Sequence, residues 1–193
     1  MDYTHPKRKT KVVFVQLGSP SEPTAKALRK YLRKFLGDPR VIDINPWLWK
    51  IILNCFVLPF RPQKSAKLYA RIWDGKSFPL ITNTRDFTKS VGEELKKIDP
   101  EGYVEVNHAF LLSPPYVNEV YDSWEEDLKK GVGATKLLVI PMFPQYSEST
   151  IASGIDALAK ELSKRVKIPT FEVITNFHRT HAFIDNSVMQ IDS

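Results

Sequence analysis

Apolar and polar positions along this chain follow two different periods, and the alternation between them lays out its elements. Four short apolar runs, Val12–Gln16, Val104–Ala109, Lys136–Ile140 and Phe171–Thr175, read as strands. The unbroken apolar run Leu137-Leu138-Val139-Ile140 has the character of a parallel strand covered on both faces. Helical spacing fills the gaps. Over residues 23–36, Leu28, Tyr31, Leu32, Phe35 and Leu36 share one face, while Lys26, Arg29, Lys30, Arg33 and Lys34 lie elsewhere as a solvated surface. Ser21 is the expected N-cap there, Pro23 suits the first turn and Gly37 ends the helix. Further helices are expected over 65–72, 86–97, 116–130, 151–166 and 180–190. Strands alternating with helices imply an α/β fold, an open parallel four-stranded sheet flanked by helices.

Residues 46–60 break that alternation. They hold Trp47, Trp49, Leu53, Phe56, Leu58 and Phe60 in a short apolar helix or lip that a βαβ unit does not need. Long insertions of this kind usually carry function. The segment is too short to cross a bilayer and is interrupted by Lys50 and Asn54.

Length and charge narrow the picture. With 193 residues, 42% hydrophobic and 26% charged, the chain is expected to form a single domain over 11–193, preceded by a flexible basic tail over 1–10. Lys11 is grouped with Lys7, Arg8 and Lys9 as a mobile, solvated charge. A net charge of +6 favours an anionic partner. Cys55 is the lone cysteine, which leaves no disulfide framework and no multi-cysteine metal site. A reducing, cytoplasmic location follows as an expectation, since the polar N-terminus shows no signal peptide.

Candidate chemistry gathers where strands end. Pro141-Met142-Phe143-Pro144-Gln145-Tyr146-Ser147-Glu148-Ser149-Thr150 follows the third strand and precedes a helix, the position where open α/β sheets bind ligands. Its hydroxyls and aromatics suit a planar aromatic ligand with anionic edges, a flavin or a tetrapyrrole. No G-x-G-x-x-G and no G-x-S-x-G occurs, which argues against a dinucleotide site and a serine hydrolase. His178 and His181 follow the fourth strand without metal-site spacing, whereas His108 falls within a strand as a core histidine.

Several separated blocks resemble the ferrochelatase family, whose members insert ferrous iron into a porphyrin in haem synthesis. Gln16-Leu17-Gly18-Ser19-Pro20 resembles the family's N-(L/M)-G-(T/G)-P turn, and Phe35–Ile42 its F-L-x-D-P-R-V-I block. Arg61-Pro62 with Ser65-Ala66 and Tyr69 is similar to R-P-x-x-S-A-x-x-Y, and Pro144–Thr150 to P-Q-Y-S-x-S-T. The resemblance implies one lobe of a two-lobed architecture, with porphyrin and ferrous iron as substrates and no permanently bound cofactor. Leu17 would lie against the macrocycle, Arg61, Tyr69 and Ser77 at its propionate edge, and Tyr146, Ser147, Ser149 and Thr150 beneath it. Trp47, Trp49, Phe56 and Phe60 would form the lip, in peripheral contact with a membrane through 46–60. No nucleic acid and no iron–sulfur cluster is implied.

Departures mark the metal side. Phe110-Leu111-Leu112-Ser113-Pro114 stands where the family places an arginine before its proline, and Phe143 where it has tyrosine. The family's F-S-x-H-(G/S)-L-P histidine and its partner glutamate lie in the second half of the enzyme, and this sequence contains neither. His178 is then the one candidate base, no metal ligand is assigned, and a second lobe or a homodimer partner would complete the cleft. A non-catalytic tetrapyrrole-binding protein and a half-size chelatase acting as a homodimer are the competing readings.

Overall fold

In the computed structural model, which describes residues 9–131 and 133–191, four parallel strands stand in the order β2-β1-β3-β4. They are β1 (Thr10–Gln16), β2 (Val104–Phe110), β3 (Lys136–Pro141) and β4 (Thr170–Val173). β1 runs between β2 and β3, with Phe14 opposite His108 on one side and Ile140 on the other. The four strand expectations hold to within two residues at their ends, and helices flank the sheet as expected, although the helix expected over 65–72 is Leu58–Tyr69 and the one expected over 151–166 is Ser153–Leu162.

One face carries the main core. Val13 and Val15 of β1, Ala109 of β2 and Leu137 and Val139 of β3 pack on Tyr121 and Trp124 of α5 (Val117–Lys129) and on Leu158 and Leu162 of α6 (Ser153–Leu162). Each such apolar side chain contributes about 1.5–3 kcal/mol on burial. The Trp124 indole donates to the Ala134 carbonyl at 2.7 Å, so its polar edge is satisfied inside the core. On the other face Phe14 meets Phe87 of α4 (Pro79–Ile98), ring centroids 5.1 Å apart.

A second, separate core sits beyond the carboxyl end of the strands. α1 (Ala25–Phe35), α2 (Pro46–Ile52) and α3 (Leu58–Tyr69) form a helical cap in which Tyr31, Leu32, Leu36, Leu53 and Leu58 are buried together. Thr24, rather than Ser21, caps α1, accepting from the Ala27 amide at 3.3 Å. α2 passes into α3 through a wider turn at Leu53–Val57, and α3 contains Pro62. A proline leaves the carbonyl four residues earlier without its helical donor. That carbonyl, of Leu58, accepts instead from Arg29 Nε at 3.1 Å. Arg29 is therefore tied to a neighbouring helix, not simply part of a solvated face.

Two further expectations are corrected. α4 begins at Pro79 instead of Asp86, because its buried face includes Thr84 and Thr88, whose hydroxyls donate back to Leu80 and Thr84 carbonyls at 2.7 Å each. Back-bonded threonines bury without looking apolar in the sequence. Lys11 is not a solvated tail charge: it is 1% exposed, in β1, with Nζ 3.3 Å from Glu105 and 3.5 Å from Asp127. Residues 1–8 of the expected tail lie outside the described residues.

Candidate functional site

The path from β1 to β2 leaves the sheet in one direction and the path from β3 to β4 in the other, so a crevice opens where β1 and β3 end. Backbone pairing builds its floor. Leu111 and Leu112 amides donate to Gln16 and Leu17 carbonyls at 3.0 Å each, and Met142 N–H to Val15 at 2.8 Å. Gly18 makes the turn out of β1 with φ of +93°, and a Cβ there would stand 2.4 Å from Ser113 Oγ. Ser113 Oγ in turn accepts the Ser19 amide at 3.3 Å, locking the two loops together.

The loop after β3 is equally determined. The Ser147 carbonyl accepts from Ile151 and Ala152 amides at 3.0 and 3.2 Å, forming a wide turn that leads into α6. Ile151 is fully buried and anchors that turn. Ser147 Oγ lies 2.8 Å from Thr150 Oγ1 and 3.3 Å from Ser149 Oγ, a compact hydroxyl cluster. The Pro144 carbonyl accepts from Phe177 and His178 amides at 3.0 and 3.1 Å, which ties β4's exit to the loop.

Between these walls lies a cleft of about 120 Å³, lined by Leu17, Leu111 and Leu112, by Ser149 and Ser153, and by Phe35, Asp38 and Val41 of the cap. A broader groove of about 480 Å³ opens on the β2 side, where Lys30, Lys34, Lys76 and Ser77 face Tyr116. The two flank the cap. A larger cavity of about 670 Å³, between α4 and β2, lies away from the strand ends; His108 lines it, its pKa lowered by burial and by Arg85.

A ferrochelatase family model matches residues 9–193. The chain belongs to the ferrochelatase family. It is 40% identical to the ferrochelatase of Idiomarina loihiensis over 94% of this chain and 48% of that protein. It is 40% identical to the coproporphyrin III ferrochelatase of Streptococcus mutans, over 92% and 53% respectively. The ferrochelatase of Marinobacter nauticus matches at 36% over 94% and 48%. This ferrochelatase-family chain thus spans about half the length of the curated relatives it matches.

Among residues singled out from the family pattern, Leu17 and Ser149 line the cleft, with Ser147 and Thr150 bonded beside them. Tyr146 is exposed next to Arg40. Ser77 lines the separate groove, and Arg61 stands exposed on α3. Tyr69 packs edge-on against Tyr31 and Phe78, and Tyr31's hydroxyl is pushed well above the ordinary tyrosine range, first by burial and then by Tyr69. His178 does not line the cleft; it is half-buried, with an Nδ1 that is enclosed and unpartnered. Of the lip aromatics, Trp47, Phe56 and Phe60 face outward, whereas Trp49 turns into the cap core and donates to the Leu36 carbonyl at 2.7 Å.

Sequence reasoning gave no role to Arg40 and Asp156, which form a forked ion pair across 116 residues of chain beside this cleft. No periodic signal connects positions so far apart. Among the described residues, no three His, Cys, Asp or Glu side chains are grouped to hold a metal ion.

Proposed function

We propose that this chain is the porphyrin-gripping lobe of a ferrochelatase, contributing to insertion of ferrous iron when a second lobe completes the cleft. The observation that carries this is the apolar floor of Leu17, Leu111 and Leu112 beside the hydroxyl cluster at the β1–β3 switch point. A flat macrocycle seats there by stacking on aliphatic surface, while Ser149 and Thr150 receive polar edges from below. Arg61, exposed on α3, takes a propionate carboxylate by forked hydrogen bonding. Ser77 lines the separate groove and Tyr69 packs against Tyr31 and Phe78, so a propionate would have to extend past the cap to meet either. Holding the ring in a shaped, water-poor cleft is the part of metallation that these residues can perform.

A proton acceptor for the pyrrole nitrogens is the missing part. His178 is the candidate of this chain for that role, and it would have to turn toward the cleft, which it does not line. The apolar Leu111 and Leu112 on the floor support a second reading, tetrapyrrole binding without chemistry. Porphyrin titration tests both. Protoporphyrin or coproporphyrin at micromolar concentration is expected to shift its Soret band and quench the tryptophan fluorescence of the lip. No spectral change would sink both. Iron or zinc insertion by this chain alone is expected to be negligible; rapid insertion abolished in His178→Ala, by a species sedimenting as a dimer, would establish the half-size homodimer instead.

The cap also supports peripheral docking to an anionic bilayer in the cytoplasm. Residues 22–78 hold twelve Lys and Arg against four Asp and Glu, whereas 79–193 hold twelve against seventeen. Trp47 is 78% exposed and Phe60 67% on that same basic surface. Apolar rings within a cationic field are what interfacial binding needs. Among the described residues, no helix is long and apolar enough to cross a membrane.

A further inference from the structure

The cleft at the switch point is too small for the ligand proposed for it. Small-molecule pockets run to about 300–1,000 Å³, and this one has about 120 Å³. The second lobe proposed to complete the cleft supplies part of the missing space, and a wall of this lobe that gives way would supply the rest.

The floor is not that wall, because Leu111 and Leu112 are paired into the sheet through Gln16 and Leu17. Nor is the α6 side, where Ile151 is fully buried and Leu158 belongs to the main core. The remaining wall is the strap 38–42, which supplies Asp38 and Val41 to the cleft. Its backbone bonds run within itself or back to α1: Val41 and Ile42 amides donate to the Asp38 carbonyl at 3.0 and 3.1 Å, Arg40's amide to the Asp38 carboxylate at 2.9 Å, and the Asp38 amide to the Phe35 carbonyl at 3.4 Å. Val41 and Ile42 pack on the cap core, which is separate from the core beneath the sheet. Among the described residues, Arg40 is the side chain of the strap that bonds across to α6. Its Nε donates to Asp156 Oδ2 and its Nη2 to Asp156 Oδ1 at 3.0 Å, two parallel bonds to the first turn of α6. On the far side of the cap the corresponding tie is neutral at one end, Lys34 Nζ to the Tyr116 hydroxyl at 3.0 Å.

We infer that Arg40 is a positioning residue: its forked contact with Asp156 fastens the 38–42 strap over the cleft and sets how readily a tetrapyrrole enters and leaves. The inference rests on the porphyrin reading for its ligand, but the fastening itself does not. Both partners remain partly exposed, at 38% and 55% of their side-chain surface. An ion pair so placed is weak and screened by salt, which suits a fastening that must open in each binding event. It also lies against the ligand loop, since Tyr146 and Glu148 both act on the Arg40 charge.

The test uses Arg40→Asp, Asp156→Arg and the double exchange of both, which restores the pair in reverse. Hydrogen exchange at the Val41 and Ile42 amides is measured without ligand, and stopped-flow porphyrin binding is measured separately. Each single variant should speed exchange at those amides and raise both association and dissociation rates by about two- to fivefold at low salt. The double exchange should bring all three back toward the starting protein, and at high salt the differences should shrink. Unchanged amide exchange in the single variants, or a double exchange that restores nothing, would overturn the fastening. Normal exchange behaviour with no porphyrin binding by any form would leave the fastening standing and remove the porphyrin reading instead.

Discussion

Gly18 shows how little freedom some positions have. With φ of +93° and a Cβ position only 2.4 Å from Ser113 Oγ and 3.1 Å from Phe110 Cβ, any side chain strains the turn and pushes the two loops apart. Gly18→Ala should cost about 1–2 kcal/mol from the left-handed backbone alone, and more from the clash. Urea midpoints should show Gly18→Ala/Ser113→Ala recovering part of that loss. Lys11 makes the opposite point, a charge whose long stem does the packing. Lys11→Met should keep most of the stability, because Glu105 is 55% exposed and can turn to water; Lys11→Ala should lose about 2 kcal/mol or more by leaving a hole. Asp74, fully exposed, accepts from the Lys76 and Ser77 amides at 2.7 and 2.5 Å, and those bonds hold its carboxyl below the ordinary aspartate range. A depressed carboxylate contributes above its unfolded value and loses that contribution as pH falls through the folded one. The Ser77 amide resonance should therefore titrate at a lower pH than an ordinary aspartate.

Within one element, the lip separates two jobs that its composition blends. Trp47 and Trp49 are neighbours in a helix too short to be stable alone, yet one faces water and the other the cap core. Trp49→Ala should cost about 3 kcal/mol, read from the urea midpoint, through its lost packing and the orphaned Leu36 carbonyl. Trp47→Ala with Phe60→Ala should leave the midpoint within about 0.5 kcal/mol and weaken binding to phosphatidylserine vesicles. If the double variant bound vesicles as well as the starting protein, the lip would not be a membrane contact. The element's continuity depends on Arg29 as well, since Pro62 empties the Leu58 carbonyl that Arg29 fills. An amphipathic reading of α1 assigns Arg29 to solvent because helical periodicity describes one helix and not its neighbour.

Across the whole molecule, charge is segregated: the cap is basic and the sheet with its flanking helices is acidic. Vesicle binding should fall steeply between about 0.05 and 0.5 M salt, as the Debye length shrinks below the separation of surface charges. α7 (His181–Ile191) leaves Ile184, Val188 and Met189 exposed, next to the end of a chain that covers about half of its relatives.

Much of this was legible in the residues themselves. Strand runs, the parallel sheet and the hydroxyl-rich loop at a strand's carboxyl end follow from local periodicity and turn chemistry, because backbone pairing and helix faces are written in nearby positions. The family blocks likewise stand in order along the chain, which brought Leu17 and the Ser147–Thr150 hydroxyls to notice. Tertiary structure decided what depends on distant partners: which tryptophan of the lip is core, that Lys11 is buried, that the threonines of α4 face inward, and that Arg40 meets Asp156. The reason is physical. Periodicity records which side of an element is apolar, but a polar group's place is set by the partner that satisfies it, and for Arg40 that partner is 116 residues away.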